Sequence, residues 1–67
     1  MIEKSRYAGM TVNERLIEAN LFQEFDQAAR KRDREQMLMI LQKVEMTYDQ
    51  AVYTADTILA NPSRYGY

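Results

Sequence analysis

The chain of 67 residues contains no cysteine, no histidine and no tryptophan, and only two glycines and one proline. Without cysteine there is no disulfide, no thiolate metal site and no sulfur nucleophile. Without histidine the commonest general base and metal ligand is missing too. The glycines, Gly9 and Gly66, stand near the two ends, so no glycine-rich loop is available to cradle a phosphate. No apolar run approaches the roughly 18 residues of a membrane-crossing helix. Residues 1–9 lack the apolar core of a signal peptide. Nine basic residues against ten acidic ones leave a net charge of −1, which offers little attraction to a polyanion or an anionic membrane surface. A cytoplasmic location with no membrane contact is the expectation these absences leave. A chain this short also commonly leans on a disulfide, a metal or a partner chain for stability. The first two are disfavoured by composition.

What is present is helical. No glycine or proline falls between Thr11 and Ala60, helix formers dominate that stretch, and no period-2 alternation persists. Three capping sequences punctuate it. Thr11-Val12-Asn13-Glu14 and Thr47-Tyr48-Asp49-Gln50 pair a hydroxyl with Glu or Gln three residues on, and Asp33-Arg34-Glu35-Gln36 does so with a carboxylate. Each precedes a run with helical apolar spacing.

The phase of the apolar pattern divides the region between the first two caps. Val12, Leu16 and Ala19 fall on one side of a helical wheel, whereas Leu21, Phe22, Phe25, Ala28 and Ala29 fall on the other. Ile17 lies between the groups. The jump occurs at Asn20, a residue that tolerates the left-handed conformation used to end helices. The pattern therefore predicts a short helix near 12–19, a turn at Asn20 and a second helix from about 21 to 31. One continuous, two-sided helix is the alternative. A third helix, about 34–45, gathers Met37, Leu38, Ile40, Leu41 and Val44 into one arc of roughly 160° with Met39 outside it. A fourth, about 48–60, places Tyr48, Ala51, Val52, Ala55, Ile58 and Leu59 within roughly 120°, leaving Tyr53, Thr54 and Thr57 outside. It stops at Asn61-Pro62, because the residue before a proline is pushed out of the helical region. Leu41 and Ile58, central to their arcs, are expected to face one another.

The fold class is thus all-α, a compact bundle of three or four short helices. Residues 1–10 read as an N-terminal extension, 11–61 as the bundle, and 62–67 as an aromatic tail too short to fold alone, whose two tyrosines either pack back over the bundle or stay loose.

Two stretches resemble short, uncharacterised bacterial proteins of about this length. They are Thr11-Val12-Asn13-Glu14-Arg15-Leu16 and Ile58-Leu59-Ala60-Asn61-Pro62-Ser63-Arg64-Tyr65-Gly66-Tyr67, with Phe25-Asp26 and Arg32-Asp33-Arg34 similar between them. The resemblance covers roughly residues 10–67, with Met10 where such chains usually begin. It implies a bacterial cytoplasmic context and brings no activity, catalytic residue or ligand with it.

No constellation for catalysis stands out. Glu14, Asp33 and Asp49 occupy first turns, where a negative charge complements the helix dipole, and Glu14 and Glu18 have the spacing of a solvated face. None pairs in an apolar setting that would raise a pKa for acid–base work. The expectation is no enzyme, no catalytic residue, no cofactor, no small-molecule substrate and no metal, since oxygen-only sites need clustered carboxylates at a glycine-permitted turn. A helix-turn-helix nucleic-acid binder is the alternative reading, because helices three and four join through a short turn at Glu45-Met46. Its would-be recognition helix exposes Asp49, Gln50, Tyr53, Thr54, Asp56 and Thr57 and carries no Lys or Arg, although phosphate contacts supply most nucleic-acid affinity. The basic cluster Arg30-Lys31-Arg32 with Arg34 ends helix two, where cations stabilise exposed carbonyls. Met39 and Tyr53 break the amphipathic pattern of helices three and four, and Tyr65 and Tyr67 add contact surface in the tail. Methionine adapts to irregular surfaces and tyrosine is enriched at interfaces. These four residues are the interface candidates for a homodimer or another protein partner.

Overall fold

In the computed structural model, which describes residues 6–67, four α-helices follow one another: α1 (Val12–Glu18), α2 (Phe22–Arg30), α3 (Arg34–Lys43) and α4 (Tyr48–Ala60). A 3₁₀ turn, Pro62–Tyr65, comes last. No strand occurs among the described residues. The caps begin the helices as their sequences require. Thr11 Oγ1 accepts from the Glu14 amide while the Glu14 carboxylate accepts from the Thr11 amide, and Thr47 and Gln50 repeat the exchange at α4. The backbone hydrogen bond to Thr11 holds the Glu14 carboxyl below its ordinary pKa. Asp33 caps α3 through its carboxylate alone, accepting from the Gln36 amide.

The first three helices also end alike. Asn20, Arg32 and Glu45 adopt positive φ of 59°, 60° and 66°. At each, the amide of that residue and of the next turn back onto carbonyls of the last helical turn. The pairs are Asn20 to Ile17 and Leu21 to Leu16, Arg32 to Ala29 and Asp33 to Ala28, and Glu45 to Gln42 and Met46 to Leu41. This is the Schellman closure, which usually has glycine at the left-handed position. Gly66 closes the 3₁₀ turn in the same way at φ 86°, with its amide on Ser63 and that of Tyr67 on Pro62. Among the described residues four segments thus close in the same way, and of these four the last has glycine at the left-handed position.

The apolar arcs meet in a single core. Leu16, Phe25, Met37, Ile40, Leu41 and Val44 are fully buried, and Leu41 and Ile58 belong to the same cluster. Ala28, Ala29, Ala51 and Ala55 are buried with them, small side chains that let helix axes approach closely. No polar or charged residue is buried among those described. The phase jump at Asn20 resolves as two helices, so the two apolar sides of the first region face one core from different axes.

Several expectations need correction. Tyr48, placed in the apolar arc of helix four, is 58% exposed. It is the first residue of α4, so no earlier turn of that helix covers its ring. Helix three stops at Lys43 rather than near 45, because the left-handed Glu45 cannot continue it. Tyr7, assigned to the N-terminal extension, is a core residue at 5% exposure. The turn that carries it is closed by the Met10 amide on the Tyr7 carbonyl. Arg6 is anchored to Glu18 by hydrogen bonds to its carboxylate and its carbonyl. Of the two outcomes open for the tail, the structure has the packed one: its 3₁₀ turn returns Tyr67 to the bundle, where the side chain packs against the core.

Candidate functional site

The returning tail forms one wall of a groove of about 520 Å³, bordered also by the starts of α1 and α2 and by α4. Phe22, Phe25, Tyr53, Tyr65 and Tyr67 line it, so that of the chain's five tyrosines and two phenylalanines only Tyr7 and Tyr48 lie elsewhere. Ile58 and Val12 extend the apolar lining, Thr11, Asn13, Thr54 and Thr57 contribute polar groups, and Asp26 is the single charged lining residue.

Local structure explains each placement. Tyr53 stands in the middle of α4 on the side turned from the core and is 74% exposed, whereas Ala51, Ala55 and Ile58 of the same helix are buried. Besides the groove, Tyr53 borders two shallower hollows that share Asp49, one reaching Arg15 and Met46 and the other Asp56 and Ala60. Tyr65 and Tyr67 reach the groove because Pro62 begins the 3₁₀ turn and left-handed Gly66 ends it. Arg32 then fixes the last residue, donating from Nη2 to the Tyr67 carbonyl at 3.2 Å. The Arg30 guanidinium lies 5.5 Å from the centre of the Tyr67 ring while its Nε donates to Asp26 Oδ2 at 2.9 Å. Burial raises the Tyr67 phenol's pKa and the Asp26 charge adds to the rise, opposed by Arg30. Asp26, chiefly by hydrogen bonding, raises that of Arg30.

The structure brings three of the four interface candidates, Tyr53, Tyr65 and Tyr67, to this one groove. Met39 is 54% exposed on α3 and does not line it. Phe22, Phe25 and Asp26 were not anticipated there, because the wheel assigns the two phenylalanines to the core arc and says nothing of a wall supplied from another segment. One signal was available: Pro62 at the first position and Gly66 just past the end of a short turn follow the usual asymmetry of helix ends.

The basic cluster is largely committed to holding the fold. Arg30 pairs with Asp26, and Arg32 donates to the carbonyls of Ala29, Arg30 and Tyr67. Arg34 grips Asp56 of α4 with Nε to Oδ1 at 2.7 Å and Nη2 to Oδ2 at 3.3 Å. That hydrogen bond lowers the pKa of the Asp56 carboxyl and raises that of Arg34. Asp33, between Arg32 and Arg34, is the α3 helix cap. Among the described residues no group of three or more acidic side chains is placed to hold a metal ion, and no helix is long and apolar enough to cross a membrane. Comparison with protein-family models, with curated proteins and with solved structures returned no match.

Proposed function

We propose that this protein is a small, non-enzymatic interaction or regulatory protein that associates with a second copy of itself through the aromatic groove. The observation that carries this reading is the concentration of Phe22, Phe25, Tyr53, Tyr65 and Tyr67 on one concave face with a single charged lining residue. Tyrosine and phenylalanine supply large contact area at low entropic cost and are enriched where proteins meet. A groove with this lining and no paired acid and base offers binding rather than chemistry. Chain length favours a second copy, because a core of this size benefits from surface buried in a partner. One self-complementary patch then serves both subunits.

Analytical ultracentrifugation across the micromolar range is the test. The expected result is a mass that rises with concentration from 7.9 kDa toward twice that value. A mass that stays at 7.9 kDa throughout would remove self-association as the function of this face.

A further inference from the structure

Just outside the groove's lining the surface carries both signs of charge, Asp49 near Tyr53 and Arg64 next to Tyr65, and neither forms an ion pair among the described residues. On α4, Asp49 lies one turn before Tyr53, and residues four apart share a helix face. Asp56, on the other side of Tyr53, is taken by Arg34, whereas Asp49 forms no ion pair among the described residues. No Lys or Arg occurs in α4, and Arg15, which lines the same hollow as Asp49, directs its guanidinium to the Met10 and Val44 carbonyls instead. On the tail, Arg64 is exposed and likewise has no carboxylate partner among the described residues. Its guanidinium sits 5.9 Å from the centre of the Tyr65 ring, one of the lining residues.

Ring chemistry points the same way. Among the described residues a guanidinium lies over a tyrosine three times, Arg6 on Tyr7, Arg30 on Tyr67 and Arg64 on Tyr65. Tyr53, the most exposed of its large apolar side chains, has no such cation over it among the described residues. A tyrosine ring beside an uncompensated carboxylate is the setting that attracts an arginine, since ring quadrupole and negative charge act together.

We propose that the arginine is Arg64 of a second copy, in a two-fold pair where Arg64 of each chain lies against Tyr53 and Asp49 of the other. This rests on the self-association reading above and names its contact. A two-fold axis running along the groove exchanges its two borders, so the α4 border of one copy meets the tail border of its mate. Both arginine–tyrosine–aspartate contacts then form at once, as an isologous interface requires. A face of a single sign would repel its own copy; a face with the two signs on separate borders attracts it.

Charge exchange tests the pairing by sedimentation equilibrium, with circular dichroism reporting that each variant keeps its helices. Arg64→Glu or Asp49→Arg alone sets like charges opposite one another and should weaken the dimer about tenfold or more. The double variant Arg64→Glu with Asp49→Arg exchanges the signs and should return the dissociation constant to within about threefold of the wild type. Asp49→Asn, the milder change if Asp49→Arg disturbs α4, should weaken the dimer about threefold. Met39→Glu should leave it unchanged. A dimer indifferent to the single changes, or one that both weaken and the double variant fails to restore, overturns the pairing while self-association stands. A wild-type chain that remains monomeric overturns both.

Discussion

The left-handed position after α3 gives the sharpest test of how the fold is held. Glu45 has φ 66°, is exposed, and closes α3 through its own amide and that of Met46. A residue with a Cβ loses about 1–2 kcal/mol in this conformation, because the Cβ approaches the following carbonyl. Glycine escapes that penalty but loses about 0.5–1 kcal/mol more chain entropy on folding. Glu45→Gly should therefore stabilise the domain by roughly 0.5–1 kcal/mol, seen as a rise of about 2–8 °C in Tm for a domain of this size. The charge needs a separate control, since a carboxylate at a helix C-terminus opposes the dipole by about 0.3–1 kcal/mol. Glu45→Ala removes the charge and keeps the Cβ, so the difference between the glycine and alanine variants isolates backbone strain. Asn20→Gly should gain less, because asparagine already tolerates the left-handed region. Arg32→Gly should gain nothing or lose, since it deletes the hydrogen bonds to Ala29, Arg30 and Tyr67. Thermal melts followed at 222 nm in circular dichroism read all four. An alanine variant as stable as the glycine one at position 45 would refute the assignment of strain there.

Leu41 is fully buried in the common cluster, so Leu41→Ala should cost about 2–5 kcal/mol. In a domain of this length that leaves most molecules unfolded at moderate temperature; a melt within a degree or two of the wild type would contradict the core as described. For Asp56, the hydrogen bond from Arg34 sets the folded pKa below the ordinary 3.8. The stabilisation it brings is present above that ordinary value and is lost as pH falls through the folded one. Melts taken downward from pH 5 should lose stability below about pH 4, and Arg34→Gln should flatten part of that decline. Heparin chromatography at low salt should show no retention, given a net charge of −1, an α4 without Lys or Arg, and a basic cluster whose Arg30, Arg32 and Arg34 are engaged by Asp26, backbone carbonyls and Asp56. Retention that fades as salt rises would restore the nucleic-acid reading.

Local chemistry made the helical architecture legible. Thr11 and Thr47 cap helices because a hydroxyl and a Glu or Gln three residues on satisfy each other's backbone partners without help from the rest of the molecule. The break at Asn20 was readable because the apolar phase changes sides at a residue suited to positive φ. The arcs of α3 and α4 were readable because burial repeats at the helical period, with Met39 and Tyr53 left outside as that period requires. Tertiary structure decided what no local rule reaches. The left-handed turns at Arg32 and Glu45 hold residues with no preference for that conformation, in place because the helices on either side must pack into one core. Tyr7 joins that core from a segment with no helical pattern of its own. The groove is the fullest case: Phe22 and Phe25 belong to α2, Tyr53 to α4, and Tyr65 and Tyr67 to the tail. These residues are separated by most of the chain, so their meeting depends on how Arg30, Arg32 and Gly66 bring the tail back. Sequence periodicity reports which side of an element is apolar; only packing determines which elements share a surface.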